Sequence, residues 1–314
     1  MKTVFTSAIL FFLFVTVYGQ DKKITKTFDG IKTINLETAS GDVKVKRSAG
    51  SATKVELTHS YDEDDYKPEF EQSGGKLIIS ENFSSGNHSG SANWVLEIPD
   101  NTSLKMNTGS GDLSIEEVTA DIRSNLGSGD ITISAVNGNV DMNTGSGDVE
   151  IEKLEGDLQV NTGSGNVRIA GGSGTFSMNA GSGTITLNNL KGDFSVNTGS
   201  GDIRTSALTI SGKSKFNTGS GDATVVVGAP LDHDISINSG SGNSTLNFNG
   251  NEIGGQIIMT ADKKQGEIVA PFKFDKEEEL KEGSSVRIQK TAKVGAKTIT
   301  IRIGTGSGTA EVRK

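Results

Sequence analysis

The chain has no cysteine, four prolines, one tryptophan and three tyrosines among 314 residues, and each scarcity removes a class of protein. Without cysteine there is no disulfide framework, no thiolate zinc centre and no acylatable cysteine for a lipoprotein anchor. The three histidines, His59, His88 and His233, fall in separate segments, none with metal-ligand spacing. Aromatics make up 5% of the residues and all hydrophobic types 33%. That is little for one large globular core but enough for a thin core repeated along an axis. The formal charge is −8, a balance that disfavours nucleic acid and anionic lipid as partners.

Long apolar runs are also absent, with one exception at the start. Lys2, the run Ile9 to Val17 with Phe11, Phe12 and Phe14, and the small-residue exit at Gly19 read as a secretory signal peptide cleaved after Gly19. The alternative, a retained anchor, would need a span of ~20 apolar residues, and no later segment approaches that. Removing residues 1–19 takes Lys2 away and leaves 30 basic against 39 acidic residues, a balance of −9. The mature chain is expected outside the cytoplasm, in the periplasm, at the cell surface or secreted, with no membrane span.

What is abundant is glycine, 41 residues, and it is phased. Gly-Ser-Gly begins at Gly109, Gly127, Gly145, Gly163, Gly181, Gly199, Gly219 and Gly240, so five successive intervals are 18 residues and the last two 20 and 21. Fixed phase beside alternating Val, Ile and Leu argues against a flexible linker, and a period near 18 without helix-length segments indicates a solenoid of stacked coils.

One coil runs from Asp148 to Gly165. It holds two pieces of period-2 alternation, Val149/Ile151 and Leu158/Val160, separated by turns at Leu154 to Asp157 and Asn161 to Gly165. Stacking predicts inward columns Leu113, Ile131, Val149, Val167, Ile185, Ile203 and Ile115, Ile133, Ile151, Ile169, Leu187 on one wall. The other wall would carry Ile122, Val140, Leu158, Phe176, Phe194 and Met142, Val160, Met178, Val196. Glu150, Arg168, Thr186 and Arg204 alternate with them and face outward.

Two polar columns accompany the turns. Asn107, Asn125, Asn143, Asn161, Asn179, Asn197, Asn217 and Asn238 share one phase. Asn suits a tight turn, and stacked amides can bond along the column. The residue after each Gly-Ser-Gly is Asp112, Asp130, Asp148, Asn166, Thr184, Asp202, Asp222 or Asn243. Coils lie ~4.8 Å apart, so neighbouring carboxylates repel by ~1 kcal/mol in water. Backbone donors, water or a bound cation could relieve this. A calcium column through Asp112, Asp130, Asp148, Asp202 and Asp222 is the sharp alternative. The calcium β-roll motif, Gly-Gly-x-Gly-x-Asp, has a different spacing, however, and Asn166 and Thr184 interrupt the carboxylates. No metal site, cofactor or catalytic residue is assigned. The repeated serines lack a histidine partner, and coils this short leave no loops to wall a polysaccharide cleft.

Outside the repeat, strands are expected at Ile31 to Leu36, Val43 to Val45, Val55 to Thr58, Leu77 to Ile79, Trp94 to Ile98, Gln256 to Thr260, Val286 to Gln289 and Thr298 to Ile303. Ser40 to Val45 reads as a diverged coil, Asp62 to Asp65 as a solvated loop, Lys276 to Glu282 as a charged loop or short helix, and Gly306-Ser307-Gly308 as one more turn. The expected organisation is a signal peptide (1–19), an N-terminal β cap with diverged coils (20–104), regular coils (105–250) and C-terminal coils with a cap (251–314). The fold class is all-β, a single-chain, right-handed parallel β-solenoid of about 18 residues per coil with irregular β caps.

The segments Trp94-Val-Leu-Glu-Ile-Pro99 and Leu104-Lys-Met-Asn-Thr-Gly-Ser-Gly-Asp112, with the repeated Val-Asn-Thr-Gly-Ser-Gly-Asp, resemble the bacterial putative adhesin family, a domain family of unknown function. They also resemble the head domain of autotransporter adhesins. The resemblance spans about residues 28–311 and implies an exported β-solenoid, with no catalytic residues to carry over. Three functions follow as expectations: an adhesive or structural surface binding a protein or glycan of the envelope or cell surface; a periplasmic sensor or scaffold partner; and, disfavoured by the short coils, a polysaccharide enzyme.

Overall fold

The computed structural model describes residues 22–84, 89–283 and 285–314; the signal segment lies outside them, as does His88. All 28 elements are strands, and no helix occurs among the described residues.

The sequence alternation is realised as two parallel walls whose registers advance by the repeat. Val149 pairs with Val167 and Ile151 with Ile169 on one wall, and Leu158 pairs with Phe176 and Val160 with Met178 on the other. Each pair is 18 positions apart, and the same offset holds from Leu104↔Ile122 to Val167↔Ile185. The columns read from the sequence are all buried, each such side chain contributing roughly 1.5–3 kcal/mol by leaving water. Phe176, Phe194 and Phe216 stack along the axis with centroids 5.3 and 5.9 Å apart. Glu150 and Arg168 point outward.

The turn expected at Leu154 to Asp157 is two corners with a short inward face between them. Lys153 has φ 56° and Gly156 φ 145°, while Leu154 is fully buried within the strand Val149–Glu155. The same kink recurs one coil apart at Glu117, Ala135, Gly171, Asn189 and Ala207, all with φ between 52° and 71°. It feeds a third inward column of Val118, Val136, Leu154, Leu190 and Leu208.

At both ends the chain order and the stacking order part company. The coil made by Thr33–Ser40 and Val43–Arg47 lies between Lys76–Phe83 with Ala92–Ile98 on one side and Ser103–Ser110 with Leu113–Glu116 on the other. At the far end Thr300–Thr305 and Thr309–Arg313 insert between Ile235–Ser239 with Ser244–Asn247 and Gly255–Asp262 with Glu267–Val269. Gly306-Ser307-Gly308 therefore turns inside the stack, joining the two inserted strands.

Antiparallel strands then cover the parallel edges, whose unpaired N–H and C=O groups would otherwise template association. Tyr66–Ser73 pairs with Lys76–Phe83, and Thr53–His59 pairs with Ala92–Ile98 and then with Lys22–Phe28. Ser285–Val294 pairs with Gly255–Asp262 and then with Lys276–Glu282. The last assignment corrects the loop or helix read from Lys276 to Glu282. Its charges are those of an outermost strand, where Lys and Glu discourage further pairing. Lys22–Phe28 and Tyr66–Ser73 are strands that the sequence reading did not anticipate.

Candidate functional site

The polar residues of the turns form continuous hydrogen-bonded columns. In the first, each Asn Nδ2 donates to the Oδ1 of the coil before: Asn125 to Asn107 (2.9 Å), Asn143 to Asn125 (2.9 Å), Asn161 to Asn143 (2.9 Å), Asn179 to Asn161 (2.9 Å), Asn197 to Asn179 (3.1 Å), Asn217 to Asn197 (2.9 Å) and Asn238 to Asn217 (3.0 Å). The amides all run in one sense. Glu37 stands in register beside Asn107 at one end, and Gly304 beside Asn238 at the other.

In the second column the carboxylates face backbone donors. The Asp130 N–H donates to Asp112 Oδ1 (2.9 Å), Asp148 to Asp130 (2.9 Å), Asn166 to Asp148 (2.7 Å), Asp222 to Asp202 (2.8 Å) and Asn243 to Asp222 (2.7 Å). The column begins at Asp42, which accepts from Asp112 (2.9 Å), and closes at Thr309, which donates to Asn243 Oδ1 (2.8 Å). Asp112, Asp130 and Asp148 thus stand one above another, with Asp202 and Asp222 resuming beyond Asn166 and Thr184. Each of these bonds is charge-assisted where the acceptor is Asp, a class worth about 1.5–3 kcal/mol and enough to offset ~1 kcal/mol of repulsion between neighbours. Arg204 also pairs with Asp202. No group of three or more His, Cys, Asp or Glu side chains gathers around a metal-sized space among the described residues.

A third column escaped the sequence reading. The Asn139 N–H donates to Asp121 Oδ1 (3.0 Å), Asp157 to Asn139 (3.2 Å) and Thr175 to Asp157 (3.0 Å). Its signal, a side-chain oxygen at each 18-residue step, was present but lay in the opposite turn. Buried hydroxyls complete the later Gly-Ser-Gly turns. Thr218 donates to Gly201 O (2.7 Å) and accepts from Gly221 N–H (3.1 Å), a pattern repeated by Thr198, Ser239 and Thr305.

At the N-terminal cap the half-buried Glu81 gathers three donors, the Ala39 N–H (2.8 Å), the Tyr66 hydroxyl (3.0 Å) and Trp94 Nε1 (3.1 Å). Burial, and then the Glu81 charge, push the Tyr66 phenol well above its ordinary range. His59, 4% exposed and packed on Tyr66, has its pKa lowered by burial and then by Lys22. These groups fasten the cap across its strands.

What remains for an external partner is the outward rows. On the wall carrying the asparagine ladder these include Lys105, Arg123, Asp141, Gln159 and Ser177, which line an open groove of about 610 Å³. Arg123 Nε bonds Asp141 Oδ2 at 3.1 Å. A second hollow of about 820 Å³ lies where the cap meets the start of the ladder, between Glu37, Glu81 and Asn107.

The family model described as Toastrack DUF4097 matches residues 31–264. No curated protein sequence matches the chain. Among solved structures, a putative lipid binding protein from Parabacteroides distasonis is 16% identical with a TM-score of 0.43, covering 94% of this chain and 98% of its own. A putative adhesin from the same organism is 14% identical with a TM-score of 0.40, covering 94% and 97%. A putative cell adhesion protein from Clostridium sporogenes is 15% identical with a TM-score of 0.25, covering 93% and 99%.

Proposed function

We propose that the chain, which belongs to the Toastrack DUF4097 family, is an exported, non-enzymatic β-solenoid that serves as an adhesive or structural surface of the cell envelope. It binds a protein or glycan through its outer faces, without nucleic acid, cofactor or membrane span. The observation that carries this reading is the division of roles within each coil. Apolar residues fill the interior and the polar turn residues are bonded coil to coil. Only the outward rows vary freely from coil to coil, so they are where a partner would be recognised. In this reading residues 1–19 direct export and are removed, regular coils occupy 105–250 between caps at 20–104 and 251–314, and the coils wind to the right as parallel crossovers do.

The test is retention of a glycan panel and of envelope proteins by immobilised residues 20–314, repeated with Arg123→Gln and Gln159→Ala in the groove. Specific retention that these outward changes weaken, at unchanged melting temperature, is expected. Retention of nothing, or recovery of an uncleaved N-terminus from the cytosol, overturns the reading. Surface labelling of intact cells separates it from a periplasmic sensor or scaffold partner, which would stay unlabelled.

A further inference from the structure

We propose that the cleft between Arg287 and Arg302, where the asparagine ladder ends, binds a single oxyanion, the carboxylate or sulfate of an acidic glycan. The polymer part deepens the adhesive reading and rests on it; the ion site does not.

Segments remote in sequence build the cleft. Ile235–Ser239, Thr300–Thr305 and Gly255–Asp262 are successive parallel neighbours, and Ser285–Val294 joins them antiparallel. Register places Ser236, Arg302, Ile258 and Thr291 in one outward row and Asn238, Gly304, Thr260 and Gln289 in the next. A cavity of about 140 Å³ lies over them, lined by both arginines, Asn238, Gln289, Ser236 and Thr260. That volume admits one small charged group and excludes a whole drug-sized ligand, which needs ~300 Å³ or more.

Gly304 makes the space. It occupies the position that Asn holds in the preceding coils, and a Cβ there would stand 2.7 Å from Asn238 Oδ1 and 3.8 Å from Arg287 Nη2. Its missing side chain ends the ladder and lets the half-buried Arg287 reach across, where Nη2 donates to Thr305 O at 3.2 Å. One bond to a fixed carbonyl orients the guanidinium and leaves its other donors for a ligand.

The charges are uncompensated. Arg47, Arg123, Arg204 and Arg313 each have a carboxylate partner, whereas Arg168, Arg287 and Arg302 have none among the described residues, and of these three only Arg287 and Arg302 share a cleft. No carboxylate lines the cleft. The acids nearest in register are otherwise held. Asp234, two residues before Ser236 and lining an adjoining hollow with Arg302, accepts the Thr300 N–H at 2.7 Å. Asp262, opposite Arg287, accepts the Lys264 and Gln265 N–H groups at 2.8 and 3.0 Å, and Glu278, opposite Gln289, is paired to Lys276 at 2.6 Å. In a chain of formal charge −8, two guanidiniums without a carboxylate partner beside a carboxylate-free cleft select a planar or tetrahedral oxyanion, which their donor forks fit. Lys215, in register with Ser236, continues the positive row. A glycan is the occupant proposed because the arginines are rimmed by Ser236, Asn238, Thr260 and Gln289, whose hydroxyl and amide groups can bond the hydroxyls that flank a sugar's charged group.

The test uses residues 20–314 in two arms. In the ion arm, sodium sulfate and sodium acetate are titrated while the Arg302 and Arg287 side-chain Nε–H resonances are followed. In the polymer arm, dextran sulfate, polygalacturonate and neutral dextran are compared by calorimetry. Expected are saturable shifts with the ions, binding of both acidic polymers but not dextran, and a loss of about tenfold or more in affinity with Arg302→Gln. Arg302 is exposed, so the melting temperature should not move. Gly304→Ala, which fills the gap without changing charge, should weaken both arms. Ion shifts without polymer binding leave the site standing and remove the adhesive glycan reading. Polymer binding indifferent to Arg302→Gln and Arg287→Gln, or absence of ion shifts, overturns the site.

Discussion

Gly165→Ala probes the approach of one coil to the next at a single atom. A Cβ at Gly165 would lie 1.7 Å from Gly147 O, 2.5 Å from Gly147 C and 3.1 Å from Asp148 N, all backbone atoms that no rotamer change can move. Reaching a tolerable 3.0 Å requires the two turns to part by about 1.3 Å. Bonds across that junction are already at normal length: Asn166 N–H to Asp148 Oδ1 is 2.7 Å, Val149 N–H to Asn166 O 2.8 Å and Gly163 N–H to Thr144 O 3.2 Å. The separation would break two or three of them. At about 0.5–1.5 kcal/mol for a neutral bond and 1.5–3 for the one to a carboxylate, losing that one with one or both of the others costs about 2–6 kcal/mol, a large share of a typical domain's stability. Gly50→Ala is the control, since nothing lies within 4 Å of its Cβ and its φ is ordinary. It should be neutral or stabilising by up to ~1 kcal/mol through the unfolded chain. Urea unfolding followed by circular dichroism reads both. Equal midpoints for the two variants would refute the claim that turn contact sets coil spacing.

Parity gives a second contrast. Ile151→Asp places a carboxylate at a fully buried position and should cost at least ~4 kcal/mol, while Glu150→Lys, outward beside Thr132 and Arg168, should cost under ~1; equal protease resistance would contradict the assignment of faces. Asp130→Asn keeps the acceptor for the Asp148 N–H and relieves repulsion, so its melt should be unchanged or slightly raised, whereas Asp130→Ala hands that exposed donor to water and should lower stability by ~0.5–1.5 kcal/mol. Millimolar calcium should shift neither the parent nor Asp130→Asn; a calcium-dependent rise lost in Asp130→Asn would make the column a metal site. His59, whose pKa is lowered in the folded chain by burial, stays neutral there while the unfolded chain protonates near pH 6.5, so its contribution is complete above that pH and is lost as pH falls through 6.5 towards the folded value. Melting should fall between pH 7 and 5, and His59→Phe should flatten the slope.

The parallel registers were legible because the columns require only period-2 alternation carried on an 18-residue phase, and both were visible from Leu113 to Leu187. The asparagine ladder followed from the same phase, which also aligned the aspartates but left backbone donors, water and a cation open as their partners. The third inward face was not legible. Four of its six corners, Glu117, Ala135, Lys153 and Ala207, are residue types that carry no turn signature yet are held at positive φ by the coils above and below, and Gly171 and Asn189 alone are too few to mark the period. Insertion of Thr300–Thr305 beside Ile235–Ser239 was equally hidden, because a repeat suggests that stacking follows chain order. The arginine cleft depends on that insertion. Arg287, Arg302 and Asn238 are brought together only by the strand order, and Gly304 reads in the sequence as part of a glycine-rich tail. Glu81 gave no signal either, since its donors come from three other strands.

Each 18-residue coil is one unit, held by the same ladders to whichever coil lies beside it. Deleting Asp148 to Gly165 tests this most directly. The cut joins Gly147 to Asn166, sets Val167 against Ile131, and returns the amide of Asn179 to Asn143 and the N–H of Asn166 to Asp130. Deleting only Asp157 to Gly165 removes one wall of a coil and leaves its neighbours without partners. By differential scanning calorimetry the block deletion should unfold cooperatively within a few degrees of the parent, and the half deletion should lose its transition or melt far lower. Matching melts for the two deletions, or loss of folding in the block deletion alone, would contradict the account.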